Sequence, residues 1–139
     1  MLDSDVGILL IEDDRVDIMT VQRAFRKNQV SNPLYIARTG VDALNMLKGE
    51  DGHEKIDPPP GLILLDLNLP RMSGIEFLEN MRADPELQKI RIIVLTSSNE
   101  QRDREAAFKY EVDDYIVKPH SFDEFNRVIA TVLAFWDSE

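Results

Sequence analysis

The sequence predicts an α/β fold, a doubly wound sheet of five parallel strands, on three observations. Four short apolar runs, Ile8-Leu9-Leu10-Ile11, Gly61-Leu62-Ile63-Leu64-Leu65, Ile92-Ile93-Val94-Leu95 and Tyr115-Ile116-Val117, lack polar alternation. Unbroken apolar runs of this length mark strands buried on both faces of a parallel sheet. The runs alternate with segments of helical period, the pattern of βα units joined by right-handed crossovers. Each run is followed at once by residues that carry chemistry: Glu12-Asp13-Asp14, Asp66, Thr96-Ser97-Ser98 and Lys118-Pro119. In open α/β sheets the carboxyl ends of the strands share one edge, and ligands bind there.

The elements follow in order. Strand 1 covers about 7–12. Helix 1 spans 15–27, with Ile18, Val21, Ala24 and Phe25 on one face. Strand 2 is 34–37, and helix 2 is 41–48, with Thr39 as N-cap and Asp42 three residues on. A polar and then proline-rich loop, 49–60, ends in Pro58-Pro59-Pro60 and favours extended backbone. Strand 3 ends at Asp66. Ser73-Gly74-Ile75-Glu76 has capping-box spacing and opens helix 3, which should bury Phe77, Leu78 and Met81. Asp84-Pro85-Glu86-Leu87 reads as a turn before strand 4. Helix 4, 100–109, offers few core residues, the expected property of an element that moves. A solvated surface helix explains the same composition. Ser121-Phe122-Asp123-Glu124 is a second capping box. It opens a final helix whose stripe is Phe125, Val128, Ile129, Val132, Leu133 and Trp136, with Phe135 off the stripe.

Composition narrows the classes of function. One compact domain fits 139 residues, so 1–139 is read as a single unit. A hydrophobic content of 43% without a long apolar run argues against both disorder and a membrane span. Met1-Leu2-Asp3-Ser4-Asp5 lacks the positive charge of a signal segment, and cysteine is absent, so a cytoplasmic location is expected. The formal net charge of −10 is opposite to the basic footprint that nucleic-acid binding leaves.

At the predicted edge, clustered carboxylates repel one another and call for a cation, and all-oxygen ligation suits Mg²⁺. A nearby lysine supplies a point charge for a phosphate-like group, and a hydroxyl can bond its remaining oxygens. Mg²⁺, an aspartate nucleophile and a lysine together describe an acyl-phosphate site.

On these residues the chain resembles the receiver domains of two-component response regulators, over essentially its whole length. It is most similar to the stand-alone regulators of bacterial and cyanobacterial phytochrome histidine kinases. The features behind that narrower likeness are Leu9-Leu10-Ile11-Glu12-Asp13-Asp14, the Pro58-Pro59-Pro60-Gly61 loop, Asp66-Leu67-Asn68-Leu69-Pro70 and the tail Leu133-Ala134-Phe135-Trp136. The resemblance implies a flavodoxin-like, receiver-type (βα)5 fold and a phosphoryl group accepted on Asp66 from a histidine kinase. It implies Mg²⁺ held by Asp13, Glu12, Asp66 and the backbone carbonyl of Asn68, with Asp14 either assisting or capping the following helix. Thr96 and Tyr115 would form the switch, Lys118 would pair with the phosphoryl group, and Lys118–Pro119 is a candidate cis peptide. A homodimer through helix 4, strand 5, helix 5 and the tail is also implied, with Phe135 in the contact.

Some positions depart from the family's pattern. Glu111-Val112-Asp113-Asp114 stands where a glycine and an alanine are common, and His120 stands where a large apolar residue is frequent. Alternative functions make different demands. A Mg²⁺-dependent phosphatase would need an acid at Asn68, which cannot do general-acid work, so no enzyme is expected. A flavin domain would meet repelling carboxylates at its phosphate. A phosphorylation-independent interaction module on the same fold stays open.

Overall fold

The computed structural model describes residues 6–137, with side chains to Ala134, so Phe135 and Trp136 lie outside the described side chains. Ten elements alternate: β1 (Ile8–Ile11), α1 (Arg15–Lys27), β2 (Leu34–Ala37), α2 (Gly40–Lys48), β3 (Leu62–Leu65), α3 (Gly74–Ala83), β4 (Ile92–Thr96), α4 (Gln101–Lys109), β5 (Asp114–Val117) and α5 (Phe122–Asp137). The expected bounds differ from these by a residue or so at the ends, where capping geometry decides.

All strand pairs are parallel, in the order β2-β1-β3-β4-β5. Successive residues of a strand point to opposite faces, and here each face has its own core. Leu9, Ile11, Ile63, Leu65, Ile92, Val94 and Tyr115 pack with Ala43, Phe77, Leu78 and Met81 of α2 and α3. Ile8, Leu10, Leu62, Leu64, Ile93 and Leu95 pack with Ile18, Val21, Phe25, Phe125 and Ile129 of α1 and α5. Every residue of β1, β3 and β4 is buried, which is why those runs carry no polar alternation.

The capping signals act as expected. Thr39 accepts from the Asp42 amide, Ser73 from Glu76 and Ser121 from Glu124. Asp14 caps α1, accepting from the amides of Val16 and Asp17 at 2.8 and 3.1 Å. α4 buries only Ala107 and has no side-chain cap.

Two local features were not legible beforehand. The Lys118–Pro119 bond is trans, and the cis bond among the described residues is Asp57–Pro58. The candidate cis bond at Lys118–Pro119 is thus trans: an X–Pro bond keeps a trans preference of about 0.5–1 kcal/mol unless its surroundings reverse it. At the turn into β5, Glu111 takes a left-handed backbone, φ +60°, where glycine would be unstrained. Arg82 of α3 compensates. Its guanidinium donates to the carbonyls of Tyr110, Gln88, Ile90 and Glu111, at 2.7, 2.7, 3.1 and 3.2 Å.

Candidate functional site

The strand order reverses direction between β1 and β3, which creates a crevice at their carboxyl ends. The sheet ladder continues into the residues that follow each strand. Glu12 N donates to Ala37 O at 3.0 Å, Asp66 N to Ile11 O at 3.1 Å, and Lys118 N to Thr96 O at 2.8 Å. The backbones of Glu12, Asp66 and Lys118 are thus tied into the sheet, the support a preorganised site needs.

Ligand atoms of Glu12, Asp13 and Asp66 all lie within 4.8 Å of one another. Glu12 and Asp66 are buried, at 2% and 6% exposure, whereas Asp13 faces solvent. Asp66 is held from several sides. Its Oδ1 accepts from the Thr96 hydroxyl at 2.7 Å and from the Asn68 amide at 3.2 Å, and its Oδ2 accepts from Lys118 Nζ at 3.4 Å. α3 begins close behind it. A Cβ on Gly74 would meet Leu67 Cα at 2.6 Å and Asp66 O at 2.8 Å, so only glycine allows that approach.

Lys118 is the cation of the cluster. Besides Asp66 it reaches Glu12 Oε1 at 2.5 Å and Asp17 Oδ2 at 2.8 Å. Asp17, in the first turn of α1, was missed from the sequence. The available signal was its place one helical turn beyond the acidic Glu12-Asp13-Asp14 run, facing the same edge. Burial pulls the Lys118 ammonium toward neutrality, but its bonds to Asp17 and Glu12 outweigh this and hold it firmly charged. Burial pushes Glu12 up to about 7, against the opposing hydrogen bond from Lys118. With three carboxylates around one ammonium, the most enclosed carboxylate is the hardest to ionise.

Thr96 is fully buried and lies opposite Val117 of β5, while Tyr115 lies opposite Val94, two residues earlier. Tyr115 is turned inward, with its hydroxyl donating to Ser98 O at 3.0 Å and the Arg104 guanidinium 4.7 Å from its ring centre. Ser98 in turn donates to Asp103 of α4. Hydrogen bonds therefore link the end of β4 to both β5 and α4. His120 is exposed on the loop after Lys118.

The arrangement can bind a divalent cation through oxygens and present a carboxylate to an electrophile. It can also neutralise a tetrahedral anion with one ammonium and one hydroxyl. Known proteins share the sequence pattern and the fold. The family model described as response regulator receiver domain matches residues 8–130. Response regulator Rcp1 of Synechocystis is 33% identical over 129 residues, covering 93% of this chain and 87% of the relative. The phosphorylated cyanobacterial phytochrome response regulator RcpA superposes with a TM-score of 0.88 at 31% identity, over 96% of this chain and 95% of that one. The Mn²⁺-bound form of Rcp1 superposes with a TM-score of 0.85 at 32% identity, over 94% of each chain. By its sequence, its sheet order and the edge on which its acidic residues meet, this chain belongs to the response regulator receiver domains.

Proposed function

We propose that the chain is a stand-alone response regulator that accepts a phosphoryl group on Asp66 from a histidine kinase and thereby switches a protein-binding surface. The observation that carries this reading is the convergence on Asp66 of Thr96, Lys118 and the carboxylates of Glu12 and Asp13. In the reaction an Asp66 oxygen forms a bond to phosphorus as the phosphohistidine N–P bond breaks, the electron pair leaving with the imidazole.

Glu12, Asp13 and Asp66, with the Asn68 carbonyl, would hold Mg²⁺. The fit rests on the donor set: all oxygen, mutually within 4.8 Å, and more negative than Lys118 alone can balance. Bound there, Mg²⁺ would supply charge neutralisation at the phosphoryl oxygens. Lys118 then pairs with the transferred group, and the Thr96 hydroxyl passes from Asp66 Oδ1 to a phosphoryl oxygen. Because Ser98 joins the end of β4 to Tyr115 and Asp103, that exchange biases the position of α4. The output is a surface, and no product is released beyond the hydrolysed phosphate.

The likeness to Rcp1 and RcpA supports a phytochrome-type kinase as donor. Val16 and Met19, 69% and 56% exposed on α1 beside the acidic edge, suit a partner helix. We also propose a homodimer through α4, β5 and α5. β5 is an edge strand, an apolar groove lined by Ile116, Val128 and Val132 runs between it and α5, and Phe108 of α4 is exposed.

Intact-mass spectrometry after incubation with acetyl phosphate tests the central reading. One phosphoryl adduct that needs Mg²⁺ and is absent from Asp66→Asn is expected. An adduct that persists in Asp66→Asn, or binding of a partner indifferent to that substitution, would favour a phosphorylation-independent module.

A further inference from the structure

We infer that Asp17 is a positioning residue that holds the Lys118 ammonium in the resting site and yields it when Asp66 is phosphorylated. The inference rests on the phosphoacceptor reading of Asp66 and concerns the regulation of that same site.

An ammonium has three N–H donors. In the resting site all three are taken: Glu12 Oε1 at 2.5 Å, Asp17 Oδ2 at 2.8 Å and Asp66 Oδ2 at 3.4 Å. Lys118 therefore leans toward Glu12 and Asp17, and its contact with Asp66 is the longest of the three. Phosphorylation turns the Asp66 carboxylate into an acyl phosphate, so the N–H it held can pass to a phosphoryl oxygen. A second donor from Lys118 reaches the phosphoryl group only if Glu12 or Asp17 is released.

Burial decides which partner gives way. The side chain of Glu12 is 3% exposed, and a carboxylate stripped of its cation there would be left without solvent. The Asp17 side chain is 38% exposed, so water replaces the lost bond at small cost. Its place in the first turn of α1 adds the favourable field of a helix N-terminus to the freed carboxylate. Asp17 is thus the acceptor that can be vacated, and the strength of its hold sets how readily Lys118 moves to the phosphoryl group. The released residue also sits on the helix that exposes Val16 and Met19, so a partner seated on α1 and the state of Lys118 share one element.

The step itself is unchanged. An Asp66 oxygen attacks phosphorus of acetyl phosphate, the P–O bond to the acetyl group breaks, and acetate leaves with the electron pair. Asp17 touches none of these atoms. Its removal acts through Lys118.

The test follows adduct formation over time by intact mass, at saturating Mg²⁺, in wild type, Asp17→Asn, Asp17→Glu, Lys118→Ala and the Asp17→Asn/Lys118→Ala double variant. Asp17→Asn is expected to gain the adduct about two- to fivefold faster than wild type, the size expected of a partly exposed ion pair. Asp17→Glu should return toward the wild-type rate, which separates charge from folding. On the Lys118→Ala background, read over longer incubations, Asp17→Asn should change the rate little. An Asp17→Asn rate equal to wild type would overturn the inference. So would an acceleration of the same size without Lys118, which would be general electrostatics. A wild type that takes no adduct while remaining folded would instead bring down the phosphoacceptor reading, and this inference with it.

Discussion

Glu12 shows how a single buried residue sets the chemistry of the edge. Its carboxyl is enclosed between β1 and Lys118, and burial raises it from the usual 4.5 to about 7. The unfolded chain releases this proton near 4.5 and the folded chain near 7, so folding takes up a proton between those values. Stability contributed by this group therefore falls as pH rises across that window. In denaturant titrations with chelator present, Glu12→Gln should lack this decline, so its stability relative to wild type should increase from pH 4.5 toward 7. A constant difference between the two proteins across the window would mean that Glu12 is ionised throughout. Mg²⁺ should offset the wild-type decline, since a cation ligated by an ionised carboxylate stabilises the folded state that binds it.

The element that matters most for signalling is α4, and its two ends are held differently. At its amino end it has no side-chain cap and is tied to the site through the Ser98–Asp103 hydrogen bond. Beyond its carboxyl end, the Tyr110 and Glu111 carbonyls are gripped by Arg82, which also anchors Gln88 and Ile90. Motion of α4 should therefore pivot about the Arg82 end and be largest near Gln101. Arg82→Ala should lower stability by about 2–3 kcal/mol, because it strips charge-assisted bonds from several carbonyls at once. It should also raise amide exchange at 107–112 more than at the ends of the other helices. Unchanged exchange in that segment would show that Arg82 does not anchor it.

For the molecule as a whole, the open question is what lies against β5. The sheet leaves β5 an edge, with a neighbour on one side only, and natural sheets cover or blunt such edges. Sedimentation should find wild type dimeric at micromolar concentration, with Phe108→Ala and Phe135→Ala shifted toward monomer. A wild type that remains monomeric at that concentration removes the dimer. The interior makes no such demand, because both faces of the sheet are already covered by helices.

The sequence by itself determined the α/β class, the order of all ten elements and the edge on which the chemistry gathers. Apolar runs, helical period and capping residues are local signals, and a parallel sheet turns strand ends into neighbours by topology alone. Glu12, Asp13, Asp66, Thr96 and Lys118 could be placed on one edge for that reason, since each stands at or just after a strand end, whereas Tyr115 came from the family resemblance. Asp17 and Arg82 were not legible, because each acts through partners about thirty to a hundred residues away that only the packing of α1 and α3 brings into reach. The left-handed Glu111 was likewise set by packing, with its carbonyl and that of Tyr110 held by Arg82. A left-handed residue other than glycine costs about 1–3 kcal/mol, small enough for surrounding contacts to hold it.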